Sequence, residues 1–144
     1  MENACSICSD PCHPQAYACK RCKKILDRPE FRTDSEGRVR RFYRGARIKA
    51  LKDAWDKKAR VFRCHYTDVE LSTTDWRDHR YLSLEHQTPG VESDITVVSL
   101  LINRMKTDLT DAEFKRIVTA LAAKFADQEF DESAFPDRQF RGEQ

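Results

Sequence analysis

A chain of 144 residues, 40% hydrophobic and 35% charged, has room for one small domain with at most a small appendage, and for a modest core. Its apolar runs are too short to cross a bilayer, and Met1-Glu2-Asn3-Ala4 has neither the charged nor the apolar part of a signal peptide. No membrane partner is therefore expected, and a soluble, cytoplasmic protein is. The formal net charge of +2 hides a basic block: residues 38–63 hold eleven Lys/Arg against Asp53 and Asp56, which leaves the rest of the chain acidic. Such a block suits a polyanionic partner, the plainer account being a solvated helical face.

Five of the six cysteines fall in the first 22 residues. Without an export signal, metal binding is a better reading of them than disulfides. Cys5-x-x-Cys8 and Cys19-x-x-Cys22, ten residues apart, can each place two thiolates on one side of a zinc ion and together complete its tetrahedral shell. Four thiolates leave no open position for water, so this zinc is expected to be structural. Lys20, Arg21, Lys23 and Lys24 offset the negative charge of such a site. Cys12 and His13 stand as alternative ligands. Residues 4–24, with Pro11 and Pro14, read as a knuckle too irregular for helix or long strand.

Residues 26–37 read as a linker, with Pro29 and a turn at Gly37. Ile48, Leu51, Ala54 and Trp55 then recur at helical spacing, which predicts an amphipathic helix over 45–59 with a basic outer face. A short strand is expected over 61–66. Tyr81-Leu82-Ser83-Leu84 predicts a strand running into Glu85-His86, followed by a Thr88-Pro89-Gly90 turn. Ile95-Thr96-Val97-Val98 predicts a second strand, and residues 100–106 a helix. Thr110 and Glu113 form a capping-box pattern. Phe114, Ile117, Val118, Leu121 and Phe125 mark one apolar face of the helix it opens. Residues 127–144 are an acidic tail whose Phe130, Phe135 and Phe140 are expected to dock on the domain or on a second subunit.

Residues 81–106 read YLSLEHQTPGVESDITVVSLLINRMK. The order of strand, acid-His, Pro turn, strand, and helix with Asn-x-x-Lys resembles the HNH (ββα-metal) endonuclease motif. The resemblance covers residues 60–125. The whole layout, a four-cysteine site before the core, is similar to small zinc-containing HNH restriction endonucleases. It implies an α+β fold in three parts: a zinc knuckle and linker (1–37), a basic helix with the nuclease core and following helix (38–126), and the tail (127–144).

By the same resemblance Glu85 and Asn103 are ligands of a catalytic magnesium or manganese ion and His86 is the general base. Asp94 is a supporting residue at a position where the family often has Asn, and Arg104 and Lys106 lie beside phosphates. The family's frequent second zinc site is not expected, since only Cys64 of its cysteines is present and Leu100-Leu-Ile102 stands where a pair would be. Cys64 is read as a small buried hydrophobe.

Hydrolysis of a phosphodiester needs a water proton taken by a neutral imidazole, and a hard cation to offset charge on the phosphate and leaving oxygen. Neighbours on an ideal strand point to opposite faces, so the strand is expected to end or bend at Glu85-His86. Arg40, Arg41, Arg44 and Arg47, interleaved with Phe42 and Tyr43, suit a groove along a phosphate backbone. The function so implied is DNA cleavage, site-specific or nicking, with a homodimer needed for a one-step double-strand cut. The alternative is a non-catalytic zinc protein that binds nucleic acid.

Overall fold

The computed structural model describes residues 3–28, 44–88 and 93–139. The expected turns at Gly37 and Pro89-Gly90 lie outside them, as do Pro29 and most of the expected linker, Arg40, Arg41, Phe42, Tyr43 and Phe140. Among the described residues, four α-helices and three two-stranded antiparallel sheets give a mixed α and β chain. No helix among them is long and apolar enough to cross a membrane.

The chain opens with strands β1 (Asn3–Ala4) and β2 (Pro11–Cys12), paired antiparallel with Asn3 opposite Cys12. The loop between them closes on itself: Cys5 N donates to Asp10 O at 2.8 Å and Ser9 N to Cys5 O at 2.9 Å. Ser9 takes a φ of 64° to make the reversal. Helix α1 (Lys20–Leu26) follows, where the sequence led us to expect no helix. Both prolines lie upstream of it, and the breaker-free run after Cys19 buries Cys22, Ile25 and Leu26 at the spacing of one helical face.

Helix α2 (Arg44–Ala54) is shorter than the expected 45–59. The chain leaves it for strand β3 (Trp55–Asp56), which pairs with β4 (Val61–Phe62). Asp56 causes the break. Its side chain accepts the backbone N–H groups of Lys58 and Ala59, both at 3.0 Å, and its carbonyl accepts that of Arg60 at 2.7 Å. A local turn thus takes the bonds that a continuing helix would use. The buried Trp55 ring then meets Phe62 edge-on, 4.8 Å between centroids. The expected strand over 61–66 also ends early, because Cys64 N–H bonds to Val69 O and Asp68 N–H to Cys64 O.

Strands β5 (Leu82–His86) and β6 (Ile95–Ser99) pair antiparallel from Leu82 opposite Ser99 to His86 opposite Ile95. Helix α3 (Leu100–Lys106) starts directly from β6, with Ser99 Oγ accepting the N–H of Ile102. Helix α4 (Asp111–Phe125) carries the full capping box: Thr110 Oγ1 accepts Glu113 N–H at 3.1 Å, and Glu113 Oε1 accepts Thr110 N–H at 2.9 Å. Its apolar face is another matter. Phe114 is buried against Tyr66, but Val118 and Leu121 are exposed and Phe125 is 81% exposed.

In the tail, a 3-10 turn spans Glu132–Ala134, and Phe130 packs against Phe135 while Phe135 stays exposed. Arg138 is what fastens the tail, donating to Glu113 Oε1 at 2.6 Å, Glu113 Oε2 at 3.0 Å and Asp108 Oδ2 at 3.1 Å.

Among the described residues a core runs from Cys22 and Ile25 through Leu51 and Phe62 to Leu82 and Val98. The cysteine-bearing segment is part of it. Arg28, itself buried, donates to Leu82 O at 2.8 Å and Thr73 O at 3.1 Å and lies over the Tyr81 ring, so it ties the end of α1 to the start of β5.

Candidate functional site

The loop between β1 and β2 presents Cys5 and Cys8, and the start of α1 presents Cys19 and Cys22. The four sulfurs all lie within 4.8 Å of one another, with Cys8 and Cys19 Sγ 3.7 Å apart. A zinc tetrahedron with bonds of about 2.3 Å needs sulfur separations of about 3.8 Å, so the set fits a zinc ion. Burial pushes the Cys8 thiol up to about 11 and, together with the charges of Cys5 and Cys8, raises Cys22 further. At Cys5 burial acts in the same sense, but backbone hydrogen bonds from Cys8, Cys19 and Ile7 outweigh it and hold the thiol at about 7. A dication is what allows four such thiolates to coexist.

Cys12 and His13 are outside the cluster: Cys12 Sγ donates to Ala16 O, and His13 Nδ1 accepts Gln15 N–H. Arg21 lies 4.8 Å from the Trp55 ring centroid and 3.7 Å from Asp10, which also pairs with Arg60. These contacts join the cysteine segment to the β3–β4 hairpin.

The second constellation is built where α3 crosses β5. Strand alternation puts Ser83 and Glu85 on one face, and residues 103 and 106 of α3 stand one turn apart on the side that meets it. Asn103 Nδ2 donates to Ser83 Oγ at 2.7 Å and to Leu84 O at 3.5 Å. The Lys106 ammonium forms an ion pair with Glu85 Oε1 and donates to His86 O at 3.0 Å. Glu85 is 4% exposed and Lys106 1%. Apart from that ammonium, neither Glu85 oxygen has a hydrogen-bond partner among the described residues. Burial raises the Glu85 pKa, the Lys106 hydrogen bond and charge oppose it, and the charges of Asp111 and Asp94 add to the rise. Asn103 uses its nitrogen for both bonds; its Oδ1 and the Glu85 carboxylate are the oxygen donors that could hold a hard cation here.

His86 is half-buried at the end of β5. The strand does end there, but without a bend between Glu85 and His86: both sit in the ladder, opposite Thr96 and Ile95. Gln87 N–H to Asp94 O, 2.9 Å, adds a further rung. His86 and Glu85 therefore lie on opposite faces of the ribbon. Asp94 braces the open end of the hairpin, its Oδ2 accepting the Thr88 hydroxyl at 2.7 Å.

Of the expected phosphate contacts among the described residues, Arg104 is exposed and Arg44 is half-buried over the Tyr17 ring. Arg47 is 5% exposed, on the face of α2 that also buries Ala50 and Leu51, and Lys106 is committed to Glu85. Neither presents its charge to a ligand on the surface. Cys64 is buried in the core, its sulfur accepting the N–H of Ser99.

The sequence reading did not include Tyr66 and Asp111 near this site. The Tyr66 hydroxyl donates to Asp111 Oδ1 at 2.6 Å, and Asp111 N–H donates to Gln87 O at 3.3 Å, so α4 begins against the end of β5. Burial, the bond to Asp111 and the charge of Glu85 all push the Tyr66 phenol up. Forty-five residues separate the pair, and no local pattern announces it.

No protein-family model, curated protein or solved structure matches this chain.

Proposed function

We propose that this chain is a metal-dependent endonuclease of the HNH type, hydrolysing phosphodiester bonds in DNA. The observation that carries the reading is the shared face of β5 and α3. Glu85 and Asn103, the two residues that the resemblance assigns to a divalent metal, both project there, and among the described residues the Glu85 oxygens meet no partner but an ammonium. Bound by Glu85 and Asn103 Oδ1, magnesium or manganese supplies positive charge for the scissile phosphate and the leaving 3′ oxygen.

The chain's own residues do the rest. The resemblance gives His86 the proton of the attacking water. Since His86 stands on the face of the ribbon opposite Glu85, this role requires the end of β5 to turn toward the metal. Asp94 holds the hairpin end, and Arg44 and Arg104 offer charge to the backbone phosphates. The four-cysteine zinc is a structural staple, and its reduced thiolates fit a cytoplasmic setting. One site cuts one strand, so a double-strand cut calls for two copies. The exposed Val118, Leu121 and Phe125 of α4 are available to a second copy.

A second reading draws on the Glu85–Lys106 pair. A carboxylate already neutralised by a buried lysine also suits a non-catalytic zinc protein that binds nucleic acid. Incubating zinc-loaded protein with supercoiled plasmid, with and without added magnesium or manganese, separates the two. Nicking that requires the added metal supports the nuclease. DNA binding without nicking in either metal supports the binder.

A further inference from the structure

We propose that Lys106 is a built-in counter-cation that guards the Glu85 carboxylate and sets how tightly the site takes a divalent metal. This rests on the metal-dependent reading above. Three observations carry it. The pair is almost wholly buried, Glu85 at 4% and Lys106 at 1% exposure, so with the lysine in place its ammonium stands in for water at the carboxylate. The ammonium is anchored at a second point, the His86 carbonyl at 3.0 Å, so its place at Glu85 is specified and is not a chance approach of a flexible chain. The Glu85 oxygens have no other hydrogen-bond partner among the described residues, so ammonium and metal must compete for the same atoms.

Lys106 is the last residue of α3, between the exposed Met105 and Thr107, so in this proposal its ammonium leaves toward the end of the helix. Its four-carbon stem can carry the ammonium outward without moving the helix. Glu85 and Asn103 would hold the dication, whose charge would repel Nζ and favour that exchange. The lysine thus keeps the site neutral and ordered before metal entry, and it positions a positive charge at the rim afterwards.

The test is manganese binding by calorimetry to zinc-loaded protein in chelator-free buffer, comparing the natural chain with Lys106→Met and Glu85→Gln. Removing an adjacent positive charge from a buried carboxylate should tighten manganese binding by about tenfold or more. Glu85→Gln should abolish it. Equal or weaker binding by Lys106→Met overturns the role of Lys106 alone. Binding by neither the natural chain nor Lys106→Met, both folded, overturns the divalent-metal reading itself.

A measurement on the natural chain covers the case in which Lys106→Met does not fold. Acylation of Lys106 by an amine-reactive acetate ester, followed by peptide mass spectrometry, should be slow without magnesium and several-fold faster at saturating magnesium. Unchanged labelling at a magnesium concentration shown to bind overturns the proposal.

Discussion

The side-chain amide of Asn103 and the hydroxyl of Ser83 are 2.7 Å apart, and this bond holds helix α3 against the face of β5 that carries Glu85. It orients Asn103 through its nitrogen, and on the proposed metal-dependent reading the oxygen would face the cation. Ser83→Ala should cost about 1 kcal/mol of stability, the worth of one such bond. It should also weaken manganese binding several-fold, because Asn103 loses its orienting partner. Urea unfolding and calorimetry check the two effects. An unaltered affinity would mean that Asn103 is oriented by something other than Ser83.

The four-cysteine site should stabilise more than its own loop. Its sulfurs belong to the same core as Leu51, Phe62 and Val98, and Arg21 next to Cys22 stacks on Trp55. Removing zinc, or Cys22→Ser, should lower the stability of the whole domain by several kcal/mol. A single thermal transition that shifts as one, by tryptophan fluorescence and far-UV circular dichroism together, is the expected result. Loss of structure confined to residues 3–28 in hydrogen exchange would show that the segment folds separately.

Arg138 and Glu113 predict an acid-sensitive step. The Arg138 guanidinium first, then the Thr110 backbone N–H, hold the Glu113 carboxyl at about 2, below its usual 4.5. The unfolded chain therefore takes up the proton first as pH falls. The stabilisation is complete above about 4.5 and is lost progressively down to about 2. Arg138→Ala should lower Tm at neutral pH by a few degrees and make the acid limb between those values shallower. Parallel Tm-against-pH curves for the two proteins would contradict this.

Arg44 and Arg47 come from one basic run but should fail differently. Arg44 is half-buried and stacked on Tyr17, whereas Arg47 is buried with Ala50 and Leu51. Arg44→Ala should weaken DNA binding and reduce the salt slope by about one, with little change in stability. Arg47→Ala should instead lower the melting temperature. Fluorescence anisotropy across a salt series and thermal unfolding distinguish the two, and a salt slope lost in Arg47→Ala would reverse the assignment.

What could be read in advance follows from the range of the interactions. The cysteine pairs, the capping box of α4 and the β5–β6 hairpin are written in local spacing, and each stands at its expected position. The shortened α2 was hidden because Asp56, a single residue inside a helical pattern, turns the chain through its own side-chain bonds. Arg47 and Lys106 looked like surface charges because composition cannot tell a buried arginine or lysine from a solvated one. Their partners are settled by tertiary packing. The apolar stripe of α4 illustrates the converse: periodicity marks a face that can be buried, but Val118, Leu121 and Phe125 are exposed, with no cover from the other described residues.

The most direct test of the nuclease reading is plasmid cleavage by zinc-loaded natural chain and His86→Ala, side by side in magnesium or manganese. His86 lies at the end of β5 and is not a member of the cysteine cluster, so its removal should leave zinc content and DNA binding intact. The expected result is metal-dependent nicking by the natural chain and a loss of about a hundredfold or more in the variant, the scale of general-base catalysis. Equal cutting by both proteins would contradict the account.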